Sequence, residues 1–399
     1  MINSPSSTRS RAACVLSASA AQGRFQLQMC DRCKNFCYPA REICPDCWSA
    51  ELRWVDVPGL GTLLSDSTMY GSINDYFATG LPWRVGTVQL DTGPTVLAHL
   101  HKETRVHERV QVIARTDISG QGVLAALPVN ASPRNESSAT PDALIQDRQL
   151  RSLTCDPKGR TVLISDARGE LGSAIADALV KAGVKRIHGG GLLNRANGMQ
   201  PAPLDLMDDG SVHALATKIG HNVDIVIHRV SLLQPGDIIG DSPPNRPDIS
   251  AAQEELAANL LTFLRLAKTF GPLLRDRPNH VSAPARAWIN LISAHALAAN
   301  SGFGTSAVSH SAAWALSRAL RAEFAGTGVK VIDVLYGPLD EDVGRKPDPP
   351  GVTPGRVAST ILHALQQGLE LATAGVYAEE TLSRYREDPL AIEREDIRT

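Results

Sequence analysis

The chain has 399 residues, 43% of them hydrophobic and 21% charged, with a formal net charge of -2. That length exceeds one ordinary core, so more than one domain is expected. The near-neutral balance excludes a global field that would recruit nucleic acid or an acidic membrane. No apolar run approaches the roughly 20 residues that span a bilayer, which points to a cytoplasmic protein.

Residues 1–22 are rich in Ser, Ala and Arg and hold no continuous apolar run, so a flexible tail is expected there and not a signal peptide. Five of the seven cysteines fall between Cys30 and Cys47. Clustered pairs in a long, cytosolic-looking chain suggest metal and not disulfides. Cys30-x2-Cys33, ten residues, then Cys44-x2-Cys47 supplies four soft ligands from two tight turns. Four thiolates at about 2.3 Å close a tetrahedral zinc site, with no position left for a water, so the metal is expected to be scaffolding. Cys14, Cys37 and Cys155 stand outside that spacing. Residues 23–57 are read as a rubredoxin-like zinc ribbon.

Residues 58–128 carry five short β-type runs, Thr62–Met69, Trp83–Asp91, Thr95–His101, Val110–Thr116 and Val123–Leu127, which suit an all-β OB-fold barrel. His99 and His101 share a strand face and read as ordinary surface or interface histidines, because no third ligand is near in sequence. Residues 129–158 are polar and aperiodic, as expected of a linker. From 159 to 385 apolar strands (161–165, 186–189, 223–228, 288–293, 329–337) alternate with helices (170–182, about 250–275, 306–325, 354–370). That alternation predicts an α/β Rossmann-type doubly wound parallel sheet, followed by a C-terminal tail over 386–399.

The segment FQLQMCDRCKNFCYPAREICPDCWSAELRWVDVPGLGTL, with the strand pair VGTVQLDTGPTVLAHL, resembles the zinc-ribbon/OB-fold proteins that accompany thiolases and thiolase-like aldolases acting on acyl-CoA. The resemblance runs from about Phe25 to Pro128. It implies a module that docks on a thiolase-fold subunit and helps shape the acyl-CoA entrance, with the carbon–carbon chemistry done by the partner. Binding of single-stranded nucleic acid, the other common OB role, needs a basic groove with stacking aromatics. Residues 58–128 hold five Lys/Arg against six Asp/Glu, which argues against it.

Residues 160 to about 380 resemble the short-chain dehydrogenase/reductase family. TVLISDARGELGSAIADAL matches its first strand, glycine turn and helix. Asp205 in LDLMDDGSV falls where the family contacts adenine, and Asn259 in AANLLTFLRLA where it keeps a structural asparagine. Gly169, Gly172, Asp205 and Asn259 are therefore the positions the resemblance would place at an NAD(P) site. Two glycine positions of the family's turn, however, hold Asp166 and Glu170. A carboxylate about 4 Å from a phosphate costs several kcal/mol, so NAD(P) occupancy is not expected. The family's catalytic Tyr and Lys are replaced by Ala307 and Ser311. No Tyr occurs between Tyr76 and Tyr336 and no Lys between Lys268 and Lys330, so Ser293 has no partners of that kind. A histidine, His295 or His310, is the one replacement acid/base at hand.

These readings converge on a non-catalytic accessory subunit of a thiolase-like acyl-CoA complex. Its dehydrogenase-like half would form a homodimer, or recruit an active dehydrogenase, through the two long helices. An NAD(P)-dependent oxidoreductase with a rearranged site is the first alternative, and a nucleic-acid-binding OB protein the second.

Overall fold

A closed barrel and a helix-covered sheet follow from the two periodicities in the sequence, and the cysteine segment adds a small third sheet. The computed structural model describes residues 10–73, 78, 80–130, 138–139, 142–229, 238, 249–278, 283–298, 303–340 and 351–395. Residues 11–20, expected within a flexible tail, form a helix, α1 (Arg11–Ala20), capped by the Ser10 hydroxyl, which accepts from Ala13 N at 3.2 Å. Its small side chains explain the difference. Ser17 lies so close to the barrel that a Cβ on Gly122 would come within 2.9 Å of the Ser17 Cα, and the Gly122 N–H donates to Ser17 Oγ at 2.9 Å.

The ribbon is an antiparallel sheet of β1 (Gln26–Cys30), β2 (Phe36–Cys37) and β3 (Leu52–Asp56), in the order β2-β1-β3. The barrel follows as β4 (Leu60–Met69), β5 (Trp83–Leu90), β6 (Thr95–Leu100), β7 (Arg109–Thr116) and β8 (Gly122–Asn130). Their order is β6-β5-β4-β7-β8, and a parallel pairing of β6 with β8 closes the barrel. Alternate residues of each strand, among them Leu63, Val88, Val96, Leu100, Val110 and Val112, fill its interior.

The linker expected over 129–158 is largely built structure where it is described. β8 runs to Asn130 and pairs with β9 (Ser138–Ala139). A short helix, α2 (Ala143–Gln146), and a 3-10 turn at Leu150–Leu153 then pack Leu144 and Leu150 against Ala125 and Leu127. Asp147 holds this turn by accepting from the N–H groups of Gln149, Leu150 and Lys102.

The second half is a seven-stranded, all-parallel sheet: β10 (Thr161–Ile164), β11 (Arg186–Gly190), β12 (Gln200–Ala202), β13 (Ile225–Arg229), β14 (Arg286–Ser293), β15 (Val329–Tyr336) and β16 (Leu371–Ala374). The order is β12-β11-β10-β13-β14-β15-β16. Helices α3 (Gly169–Lys181), α4 (Asp209–Ile219), α5 (Ser250–Leu256), α6 (Thr262–Arg275), α7 (Gly304–Phe324) and α8 (Pro354–Gln367) cover both faces. A π-helical segment, Ala257–Leu261, joins α5 to α6. The chain ends in α9 (Val376–Glu387) and α10 (Pro389–Glu395). Ile392 is buried, so the described part of the expected C-terminal tail is packed helix.

The two halves meet in a buried polar seam. The Lys330 ammonium, on β15, donates to the carbonyls of Thr116 (2.7 Å), Leu153 (2.8 Å) and Gly368 (3.1 Å). Around it Arg115 donates to Gln367 Oε1 at 2.9 Å and Thr116 Oγ1 to Glu370 Oε1 at 2.7 Å. Burial pushes the Lys330 pKa down. Replacing Lys330 by Met should leave three buried carbonyls without this donor. We expect a loss of about 3 kcal/mol in urea unfolding; a loss below about 1 kcal/mol would show that the seam is not a structural tie.

Candidate metal centre and nucleotide cleft

The four cysteines at the sequence-derived spacing converge. Cys30 and Cys47 place their Sγ atoms 3.5 Å apart and Cys33 and Cys44 theirs 3.6 Å apart, with all four within 4.8 Å of one another. A tetrahedron with arms of about 2.3 Å has edges of about 3.8 Å, so the thiols fit a metal ion of that size. The two knuckles are built alike. Lys34 N donates to Cys30 O at 2.8 Å, Trp48 N to Cys44 O at 3.0 Å, and Lys34 and Trp48 both adopt positive φ, 65° and 62°. Asn35 Nδ2 ties one knuckle to the other through Asp46 Oδ2 at 2.8 Å. Cys37 is buried on β2 outside the set, and burial pushes its thiol up to about 11.

At the C-terminal ends of β10 and β11 lies a cleft of about 610 Å3, lined among others by Ser165, Asp166, Arg168, Gly191, Asp205 and Thr262. Gly172 is forced by the turn: a Cβ there would sit 2.2 Å from Ala167 O. Gly169 opens α3 at φ +74°. The Arg168 side chain folds back on Asp166, with Nε–Oδ1 2.8 Å and Nη2–Oδ2 2.9 Å. Burial opposes the Asp166 charge, but the bonds from Arg168 outweigh it and hold the carboxyl below its ordinary range. Asp205 lines the cleft and accepts from Met207 N at 2.8 Å. Glu170 is exposed in the first turn of α3.

Asn259 lies elsewhere. It is fully buried in the π-helical segment and donates to Ser309 Oγ on α7 at 2.9 Å. Ser306 donates to Glu255 beside it, so this polar seam joins the two long helices. Ala307 is buried and carries no acid or base, and Ser311 donates to the carbonyl of Ala296 at 2.8 Å. Ser293 Oγ accepts from His295 N at 3.3 Å, and His310 Nδ1 accepts from Ser293 N at 3.3 Å. The His295 ring stacks on Phe303 at 5.1 Å. The arrangement offers no hydroxyl–ammonium pair of the kind that protonates a carbonyl oxygen.

Sequence reading missed His228. It follows the apolar Ile225–Ile227 in β13, is fully buried, and stands 3.1 Å through Nδ1 from Ser165 Oγ at the floor of the cleft. Its only sequence signal is a polar residue ending an apolar run. His99 and His101 do not combine: His99 bonds Gln149 at 3.0 Å, while His101 accepts from Glu103 N at 3.2 Å. Among the described residues the four cysteines alone have metal-holding geometry.

Two outcomes follow. Cys44→Ser should release the bound metal ion and Cys37→Ser should keep it, as read by metal analysis of purified protein. Burial lowers His228 from 6.5 to about 3. The unfolded chain therefore binds a proton the folded chain refuses, so stability is complete above pH 6.5 and falls below it, by about 1.4 kcal/mol per pH unit from this group. Between pH 7 and 5 the stability lost in urea unfolding should be smaller in His228→Asn than in the unaltered protein, by up to that slope.

Residues 54–114 match the family model of the ChsH2 C-terminal OB-fold domain. No curated protein matches the chain. A short-chain dehydrogenase of Burkholderia cenocepacia J2315, solved in complex with NADP, superposes with a TM-score of 0.52 at 24% identity, covering 59% of this chain and 96% of its own. A short-chain dehydrogenase of Streptomyces avermitilis gives 0.47 at 18% identity, over 59% of this chain and 94% of its own. Among the described residues no helix is long and apolar enough to cross a membrane. The N-terminal half thus carries an OB-fold domain of the ChsH2 type behind a zinc-ribbon fold, and the C-terminal half has the fold of the short-chain dehydrogenases.

Proposed function

We propose that this chain is a non-catalytic accessory subunit of a thiolase-like acyl-CoA complex in the cytoplasm. The ribbon holds a structural zinc ion, and the ribbon–barrel module docks on a thiolase-fold partner beside the acyl-CoA entrance. The observation that carries the reading is the pairing of that module with a dehydrogenase fold whose α7 holds neither Tyr nor Lys. Zinc suits four thiolates at tetrahedral separations and supplies rigidity, not chemistry. The dehydrogenase-like half serves as a pairing unit, for itself or for an active dehydrogenase. Leu261 on the π-helical segment and Val308 on α7 leave 48% and 52% of their surface exposed, which suits burial in a helix-to-helix contact. Fusion would then hold two consecutive steps on an acyl-CoA close together by raising effective concentration.

The cleft beside Ser165 and the NADP of the Burkholderia relative favour a second reading, an oxidoreductase with a rearranged site. The Asp166 carboxylate in the turn and the missing proton donor weigh against it. Nucleic-acid binding is disfavoured further, because Arg84 and Arg109 are paired with Asp66 and Asp91 at 2.7 and 2.5 Å.

Tagging the chain, purifying it from its native host under mild conditions and identifying stoichiometric companions by mass spectrometry tests the proposal. A thiolase-fold companion is expected. Recovery of the chain alone would sink the accessory role.

A further inference from the structure

β16 is the last strand of its sheet, and its outer edge faces a groove of about 900 Å3 between α8 and α9. The phase of the ladder is fixed by Asp333 N, which donates to Glu370 O at 2.9 Å. In a parallel pair alternate residues turn their main chain inward, so Ala372 and Ala374 bond to β15 while Leu371 and Thr373 turn N–H and C=O outward. Just before the strand, Glu370 N donates to the carbonyl of Ala21 at 2.6 Å. Among the described residues no strand pairs with the outer edge of β16.

The walls are polar and charged. α8 presents Arg356, Ser359 and His363 at helical spacing, and α9 presents Ser383 and Arg386, with Arg24 opposite. Arg24 is engaged by Asp56. Among the described residues Arg356 and Arg386 form no ion pair. Burial and then the neighbouring Arg24 push the Arg386 pKa down, and burial followed by Arg115 and Arg356 does the same to His363. Glu379 and Glu387 also line the groove, which disfavours a compact polyanion.

We propose that this groove binds an extended segment of a partner polypeptide, added as a strand to β16, with a carboxylate side chain meeting Arg356 and Arg386. A row of outward N–H and C=O groups is matched by an extended chain about 4.8 Å away, and pockets or charges along the walls select its side chains. The proposal goes beyond the accessory role and does not depend on a thiolase-fold partner.

Random peptides displayed on phage, panned against the immobilised full-length chain, test it. The recovered sequences should be β-prone with Asp or Glu, and should protect the Leu371 and Thr373 amides in hydrogen exchange. Thr373→Pro removes one outward N–H while sparing the ladder to β15, as edge prolines do. It should weaken binding at least tenfold, as should Arg356→Glu combined with Arg386→Glu; the latter pair serves as the test if the proline variant does not fold. Recovery of no sequence above background overturns the proposal, and so do peptides indifferent to both changes. Binding of ADP or inorganic phosphate that needs Arg356 and Arg386 but survives Thr373→Pro would overturn it in favour of a small-anion site.

Discussion

One ammonium group holds three parts of this chain together. Lys330 reaches the end of the last-but-one barrel strand at Thr116, the end of the connector at Leu153 and the C-terminal cap of α8 at Gly368. A charge removed from water is tolerated only when its donors are saturated, so each of those carbonyls must be brought to the same point. Gly368 makes the geometry possible. It sits at φ +64°, and a Cβ there would press within 1.9 Å of Leu153 O and 3.1 Å of the Lys330 Nζ. The barrel is therefore fixed against the N-terminal ends of β15 and β16, and any partner seated on one half has a set bearing toward the other.

Such a frame does not depend on the residues that a dehydrogenase needs for chemistry. The sheet is held by Val162, Ile225, Ile289, Val334 and their neighbours, all buried and apolar. The helices that would carry the proton donor are joined instead by Asn259–Ser309 and Ser306–Glu255. Those contacts need neither a Tyr nor a Lys, and α7 holds neither. At the turn before α3, Arg168 neutralises Asp166 within the protein, a charge balance that needs no bound phosphate.

Much of this was legible in the residues. The CxxC pairs specify a four-thiol cluster because spacing alone fixes two knuckles, and the fold confirms the cluster. The barrel strands and the long helices follow from periods of two and 3.6, with ends that coincide or differ by at most three residues. What escaped lies where pattern is weak or partners are distant. α1 packs through Ala and Ser, which carry little hydrophobic signal. The connector's leucines are sparse in a polar stretch, and β12 and β16 are three and four residues long. Lys330 reads as a surface lysine in an apolar strand, because its acceptors come from positions 116, 153 and 368. Asn259 matched a family position, but its hydrogen bond serves helix packing.

In the accessory role proposed for it, the chain contributes position and not turnover. The most direct measurement is acyl-CoA turnover by the isolated companion, with and without this chain, and with NAD(P)(H) added or omitted. Turnover that rises with the chain and ignores the dinucleotide is the predicted result. Steady oxidation or reduction of NAD(P)(H) by the chain alone, on a 3-hydroxyacyl-CoA or its ketone, would contradict it.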